Sequence, residues 1–479
     1  MAQVSKEELL KHFSSELQSG DAALFVGAGL SHPSGFVDWA SLMREVASEL
    51  GLSIERESDL IAVAQYHVNE RGGRTRLNRL LIEEFTKGAT LTENHRLLTT
   101  LPVHTVWTTN YDDLLETAFR EMQRRPDVKT TVENLAQTLP NRDVVIYKMH
   151  GDIRQPQDAV LTKEDYETYE QKRGLFSTAL KGDLVERTFL FLGFSFTDPN
   201  IDYILGRIRG LLGQNQRGHY CIMKWPDTPK DSSGGARAEY EYKKRKLQLR
   251  ISDLSRYQIH AVMIESYDEI TDILRGLNRQ SQKKHVFVSG SAHSFEPLGR
   301  ERLEEFCSRL GRELTRRGFN LVSGFGLGIG GAVALGALEH IYSENLPLNR
   351  VSLFPFPQRI PEGVSREMFY TRYRTSMVSN SGFVLFIAGN REDAETKRAV
   401  IAPGVMEEFA IASRLGKVPI PFGASGWAAQ EIWKRISENP DVYYARKDVV
   451  TPLKTLGEAG KSDDEYLTAI FDMLRELGQ

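Results

Sequence analysis

The chain has 479 residues, 41% hydrophobic and 26% charged, with 61 Lys+Arg against 64 Asp+Glu and a formal net charge of -3. At roughly 100–200 residues per domain this is about two to four domains, and the near-balance of charge argues against a general polyanion binder. The two cysteines, Cys221 and Cys307, exclude a disulfide scaffold and a four-cysteine zinc site and favour a reducing compartment.

The opening segment is polar and charged and lacks an apolar signal core. The longest apolar runs, Phe189–Phe194 and Phe383–Ala388, are of strand length, far short of the roughly 20 residues that span a bilayer as a helix. A cytoplasmic protein with no membrane segment is expected. In the first half, strands are predicted at Ala22–Val26, Thr105–Thr108, Val144–Lys148, Thr188–Leu192, Gly218–Met223 and Ile259–Ile264. Between Trp39 and His104 the pattern is helical, an insertion or cap beside the sheet. Gly235–Arg250 is a charged helix whose Lys243–Lys246 run, flanked by Glu239 and Glu241, reads as a solvated face; nucleic-acid binding is the weaker reading. The polar stretch Gly276–Lys284 marks the boundary between a first domain, 1–280, and a second, 284–479. In the second, strands are predicted at His285–Ser289, Asn320–Ser323, Val351–Phe354, Gly382–Ile387 and Val418–Pro421, with a terminal helix over Asp463–Glu476. Short β-rich runs alternating with longer amphipathic ones indicate two α/β domains with mostly parallel sheets.

The chemistry in the first half gathers at predicted strand ends. Ala22–Val26 runs into Gly27-Ala28-Gly29-Leu30-Ser31, where glycines permit close backbone approach to a phosphate and the next amides can donate to it. This is only part of the GxGxxG pattern, and an ordinary tight turn is the alternative. Asn110 and Asp112 follow the next strand in Thr-Thr-Asn-Tyr-Asp, and His150 follows another in Lys-Met-His-Gly-Asp. A parallel sheet delivers such residues into one crevice. An imidazole there can exchange a proton near neutral pH or orient a ribose hydroxyl. Asn110 can hold a hydroxyl or water, and Asp112 can favour developing oxocarbenium charge. A structural histidine and a helix cap are the competing assignments.

In the second half, Val286–Ser289 leads to Gly290-Ser291, and a second strand leads to the glycine-dense turn Gly324–Gly331, which includes Gly326, Leu327 and Gly328. Such turns can line a phosphate site or pack a helix on a sheet. Arg372, in Tyr-Thr-Arg-Tyr-Arg, has the donor geometry for phosphate. Glu407, after Pro403-Gly404, can accept from ribose hydroxyls or favour a helix N-terminus.

The order GAGLS, TTNYDD, KMHGD and GFSFTDPN closely resembles a sirtuin-like domain over about residues 10–280. The resemblance implies that Gly27, Ala28, Gly29 and Ser31 hold NAD. It implies that Asn110, with Asp112, positions ribose or water, that His150 is essential for NAD cleavage, and that Gly193 and Ser195 contact the adenosine side. Two features depart from protein-deacylating sirtuins. Their four-cysteine zinc module cannot be built here, and the acidic-aromatic-arginine element after the glycine turn is replaced by His-Pro-Ser-Gly-Phe-Val-Asp-Trp. Water is then the simpler acceptor.

The second half resembles the SLOG group over about residues 284–479, Rossmann-like domains that include nucleotide hydrolases and nucleotide sensors. Its PGVMEE segment lacks the second glycine and the threonine of the enzymatic members, which favours a sensor whose ligand meets Gly290, Ser291, Gly326, Leu327, Gly328, Arg372, Lys397, Gly404 and Glu407. The fused order resembles the NADase effectors of Thoeris antiphage defence. That resemblance implies a sirtuin-like Rossmann domain with a helical insertion followed by a Rossmann-like SLOG domain. It implies NAD as substrate, no metal, nicotinamide and ADP-ribose as products, and NAD depletion as the outcome. A cyclic ADP-ribose isomer made by a TIR-domain protein is the implied activator, and a homotetramer the implied assembly. The rival expectations are an NAD-dependent protein deacylase and a non-enzymatic nucleotide sensor.

Overall fold

The computed structural model describes residues 3–36, 39–196, 198–213, 215–229, 234–357, 359–360, 362–444 and 447–478. Val37 and Asp38 of the segment after the glycine turn, and Thr197 of GFSFTDPN, lie outside these. The chain divides into two compact units, Met1–Leu277 and Asn278–Gln479.

The first unit is built on eight parallel strands: β1 (Gln3–Val4), β2 (Ala22–Val26), β3 (Thr105–Thr108), β4 (Pro126–Lys129), β5 (Val144–Lys148), β6 (Thr188–Leu192), β7 (His219–Lys224) and β8 (Ile259–Ile264). Their order is β1-β8-β7-β6-β2-β3-β5-β4. Every residue of β2 and β6 is buried, as a parallel sheet covered on both faces requires. Alternation sorts β2 between two cores: Leu24 and Val26 join Leu98, Val106 and Leu190 on one face, while Ala23 and Phe25 join Trp107, Phe176 and Phe191 on the other.

The chain leaves β2 on the β3 side and later returns to β6 on its other side, so the sheet reverses direction at β2. Val26 pairs with both Thr108 and Leu192, and Thr108 pairs with Lys148. The segments after these four strands therefore emerge side by side at a topological switch point, the place where open α/β sheets bind ligands.

Helices Trp39–Glu49, Leu60–Arg71, Thr75–Phe85 and Glu93–Thr100 fill the expected insertion. The first three close a core of their own around Val46, Val63 and Leu81, into which Tyr111 and Leu161 also pack. The charged helix runs Gly234–Leu254. Its Lys243 lies 3.3 Å from Glu239, and Lys244 covers the Tyr240 ring.

The second unit has a five-stranded parallel sheet of β9 (His285–Ser291), β10 (Asn320–Ser323), β11 (Val351–Leu353), β12 (Phe383–Ala388) and β15 (Val418–Phe422). The order β11-β10-β9-β12-β15 is that of a doubly wound fold, with its own switch point between β9 and β12. A short antiparallel hairpin, β13 (Asn390–Glu392) with β14 (Ala399–Ile401), follows β12. Helices Arg300–Arg316 and Gly330–Ser343 cross in close contact. A Cβ at Gly311 would stand 2.0 Å from Val333 O, and one at Gly336 1.8 Å from Ser308 O. The final helix is Asp463–Gly478. Among the described residues no helix is long and apolar enough to cross a membrane.

Candidate functional site

A cavity of about 400 Å³ opens at the carboxyl ends of β2, β3, β5 and β6, within the size range of small-molecule sites. Ala28, Gly29, Ser31, Asn110, Asp112, His150, Gly193 and Ser195 all line it. Gly27 lies one step behind, at the root of the turn.

The glycines serve backbone packing first. Gly27 N donates to Leu192 O at 2.9 Å and Gly29 N to Gly193 O at 3.0 Å. A Cβ at Gly27 would stand 2.4 Å from Gly193 O, and one at Gly29 2.9 Å from Gly193 Cα. Gly193 itself has φ +61, and its Cβ would meet Leu30 N at 2.5 Å. The turns after β2 and β6 thus touch main chain to main chain, leaving no room for a side chain on either.

Asn110 is fixed by donating from Nδ2 to Gly27 O at 3.2 Å and to Ser31 Oγ at 3.1 Å. Only an NH2 group can face that carbonyl, which settles the orientation of the amide. Its Oδ1 is buried and has no partner among the described residues. Asp112 accepts from Leu114 N at 3.1 Å, which fixes its carboxyl at the start of the following helix while it also lines the cavity. Burial raises its pKa, against the opposing charge of Lys148.

Lys148, fully buried at the end of β5, donates to Tyr111 O at 3.0 Å and Asp112 O at 2.6 Å. It also pairs with Asp152 at 2.5 Å and Glu116 at 3.1 Å. It ties the carbonyls of the segment that follows Asn110 to the neighbouring strand.

His150 is buried, its ring edge-on to Tyr166 with centroids 5.7 Å apart. Its Nε2 lies 3.1 Å from Asp198 Oδ2, although the alignment is not that of a hydrogen bond. Tyr166 donates to the same Oδ2 at 3.1 Å.

The roof is apolar: Phe36, from the segment after the glycine turn, with Trp39, Leu42, Ile61 and Phe85 of the helical insertion. It is moored in two ways. Phe85 packs between Phe36 at 5.2 Å and Tyr111 at 5.8 Å, and Arg74 pairs with Asp165 at 2.7 Å, one residue before Tyr166. Sequence reasoning did not single out Asp198, Tyr166, Lys148 or the roof. Asp198 sits inside GFSFTDPN, but Asp-Pro-Asn after a strand reads as a helix cap, which it also is.

In the second unit, Gly290 and Ser291 belong to β9 itself rather than to the turn after it. A Cβ at Gly326 would stand 2.0 Å from Gly290 O, and one at Gly290 2.2 Å from Ile387 O. Leu327 O accepts from Ala292 N at 2.7 Å, and a Cβ at Gly328 would meet Ala292 O at 2.8 Å. These residues therefore form one patch at the switch point. Glu407 and Gly404 meet each other through Arg374, which donates to Glu407 at 2.8 Å and lies where a Gly404 Cβ would be, 2.7 Å away.

Arg374, rather than Arg372, thus pairs with Glu407. Two positions along a helix are about 200° apart in direction, and Arg372 is exposed. Lys397 stands exposed between β13 and β14, 3.6 Å from Glu392. Glu408 points inward and accepts from Ser289 Oγ at 2.6 Å; burial pushes its pKa up to about 7, against Ser289 and Arg374.

Among the described residues no group of three or more His, Cys, Asp or Glu side chains is placed to hold a metal ion. Cys221 and Cys307 are free and buried, and burial pushes the Cys221 thiol up to about 12.

Residues 104–249 match the SIR2-like domain family, and residues 269–477 match the Sir2- and TIR-associating SLOG family. The chain is 44% identical over 477 residues to the NAD(+) hydrolase ThsA of Bacillus cereus (strain MSX-D12), covering 98% of each. It is 39% identical over 485 residues to the NAD(+) hydrolase ThsA of Cytobacillus dafuensis, covering 98% of this chain and 97% of that one. It is 43% identical over 435 residues to the NAD(+) hydrolase ThsA of Acinetobacter baumannii (strain 532279), covering 90% of each. With both halves matched in order and the likeness running almost end to end, the chain belongs to the ThsA family of NAD(+) hydrolases, the sirtuin-like and SLOG effectors of Thoeris defence.

Proposed function

We propose that the chain cleaves the bond between nicotinamide and ribose of NAD in the cavity of the first unit, and that a cyclic ADP-ribose isomer held by the second unit switches this on. The observation that carries the first part is the meeting of Asn110 and His150 at one switch point, with the buried Oδ1 of Asn110 left without a partner among the described residues. Buried polar atoms are normally paired, so the cavity is chemically prepared for a ligand with hydroxyl groups. Gly27, Ala28, Gly29 and Ser31 take the diphosphate, Gly193 and Ser195 the adenosine side. Asn110 Oδ1 accepts from a ribose hydroxyl or the attacking water. The glycosidic bond breaks with its electron pair passing to the nicotinamide nitrogen, and positive charge develops at the ribosyl carbon. The carboxylate of Asp112 favours that charge, water captures the carbon, and His150 is suited to receive the water's proton. The products are nicotinamide and ADP-ribose.

In the second unit the ligand meets Gly290, Ser291, Gly326, Leu327, Gly328, Gly404 and Glu407, with Arg372 and Lys397 reaching in from exposed positions. Binding activates only if it favours the competent arrangement over the idle one. The signal comes from a TIR-domain protein in the same cytoplasm, and a homotetramer is the assembly we assign. The test is NAD turnover by the full chain with and without cyclic ADP-ribose isomers, followed by product chromatography. Equal amounts of nicotinamide and ADP-ribose, formed faster with one isomer, are expected. Isomer binding without NAD loss would overturn the proposal. Nicotinamide released only with an acylated lysine peptide would replace hydrolysis by deacylation.

A further inference from the structure

We infer that Asp198 is the positioning residue of His150, holding the imidazole in its working orientation and tautomer through one carboxylate oxygen while the other builds the helix behind it. The inference rests on the assignment of His150 to the reaction. Asp198 precedes the helix Pro199–Leu212 and caps it: Oδ1 accepts from Asn200 N at 2.9 Å and Ile201 N at 3.1 Å. Those two bonds fix the plane of the carboxylate, and Oδ2 is thereby aimed into the cavity, 3.1 Å from His150 Nε2.

Tyr166 donates to the same oxygen at 3.1 Å. Burial, with Asp198 beside it, raises the phenol well above its ordinary value, so Tyr166 serves as a neutral donor throughout the physiological range. Burial alone would raise the pKa of Asp198, but His150, Ile201 N and Tyr166 outweigh it and hold the carboxyl below its ordinary value. An ionised carboxylate oxygen can only accept, so Nε2 must carry the hydrogen that faces it. Nδ1 is then the imidazole's acceptor. The 3.1 Å separation is within hydrogen-bond reach, so a small rotation of the ring aligns the pair. A cap alone would account for Oδ1 and leave Oδ2 without purpose; a buried carboxylate oxygen placed against the one histidine of the cavity, with a tyrosine sharing it, is a built contact.

The test is Asp198→Asn in the full chain, with His150→Ala beside it. Asparagine caps helices as well as aspartate, but its NH2 can stand where Oδ2 was, and two donors would then face each other across the contact. Expected results are a thermal unfolding midpoint close to that of the parent, a KM for NAD within about threefold, and a kcat lower by about 100-fold or more. Nitrogen-15 spectra of histidine-labelled protein should show His150 moving from the Nε2–H to the Nδ1–H tautomer. A kcat within about threefold of the parent would overturn the inference, as would a raised KM with kcat unchanged. If Asp198→Asn does not fold, Asp198→Ser, which keeps a capping oxygen but lacks the second one, takes the same assays with the same deciding outcomes. The two readings fail separately: turnover surviving in His150→Ala removes the catalytic assignment itself, whereas turnover lost there but kept in Asp198→Asn removes only the role of Asp198.

Discussion

Asn110 Nδ2 reaches across the sheet to Gly27 O, 3.2 Å away, so the loop after β3 and the glycine turn after β2 are held by one amide. The asparagine is tied down on its nitrogen side, while its buried oxygen has no partner among the described residues.

That division predicts unequal damage from two small changes. Asn110→Ala removes both functions and is expected to lower NAD turnover by at least about 100-fold, at a stability cost of about 1 kcal/mol. Asn110→Asp keeps the shape but sets a carboxylate oxygen against the Gly27 carbonyl. It is expected to unfold at a lower temperature than Asn110→Ala. Thermal melts of the two variants side by side check this; an aspartate variant as stable as the parent would count against the assigned amide orientation.

His150→Ala is expected to lose turnover by about 100-fold to 10,000-fold while keeping its fold. The backbone of His150 is held independently of its side chain, its carbonyl accepting from Val160 N at 2.9 Å. Circular dichroism with product chromatography tests both halves. Normal turnover would take His150 out of the reaction.

Gly193→Ala meets two obstacles at once, a positive φ of +61 and a contact of 2.5 Å with Leu30 N. The backbone term alone costs about 1–3 kcal/mol, and relief requires the turn after β2 to shift. Lower thermal stability and loss of NAD binding by calorimetry are expected together. NAD binding retained at parental affinity would show that the two turns move independently.

Glu408 predicts a pH dependence. Folded, burial keeps its proton to about pH 7; unfolded, it gives the proton up near its ordinary value of 4.5. Folding therefore binds a proton between these values, and stability from this group falls as pH rises from about 4.5 through 7. The loss is on the order of 3 kcal/mol above pH 7. Ser289 and Arg374 temper it, and Glu407 adds to it. Glu408→Gln should unfold at a higher temperature than the parent at pH 8 and at a similar one at pH 4.5. Equal midpoints at both pH values would contradict the burial of an ionisable group there.

Arg374→Ala strips Glu407 of its 2.8 Å partner and should weaken binding of a cyclic ADP-ribose isomer by about tenfold. Arg372→Ala, on the exposed side of the same helix, is expected to weaken it as well. Calorimetric titration of both variants ranks them. Parental affinity in both would move the ligand away from this end of the sheet.

The strands that carry the site were legible because parallel strands buried on both faces are written as unbroken apolar runs. Ala22–Val26, Thr188–Leu192 and Phe383–Ala388 are of this kind. β4 and the β13–β14 hairpin were not, because edge and surface strands such as Pro126–Lys129 and Asn390–Glu392 bear charges and prolines that suit loops equally well. The motif residues Asn110, Asp112 and His150 could be gathered from strand ends alone, since register aligns those ends. Asp198 and Lys148 could not. A helix cap with a second oxygen to spare has the same sequence as one without, and a lysine at a strand end looks exposed until the carboxylates of Glu116 and Asp152 close around it. The same limit separates Arg372 from Arg374. Both have phosphate-binding chemistry, and only the helix phase decides which one turns inward.

The interlocked glycines and the helical roof give the two walls of the cavity unequal freedom to change. At Gly27, Gly29 and Gly193 the floor is main chain pressed against main chain, so no side chain can be added there without displacing a neighbouring strand end. The roof is a set of ordinary side chains on helices with a separate core around Val46, Val63 and Leu81, where one apolar group can replace another at small cost. A new preference for one dinucleotide over another, or a narrower entrance, is therefore open to this fold through Trp39, Ile61 and Phe85, with Asn110, Asp112 and His150 left untouched.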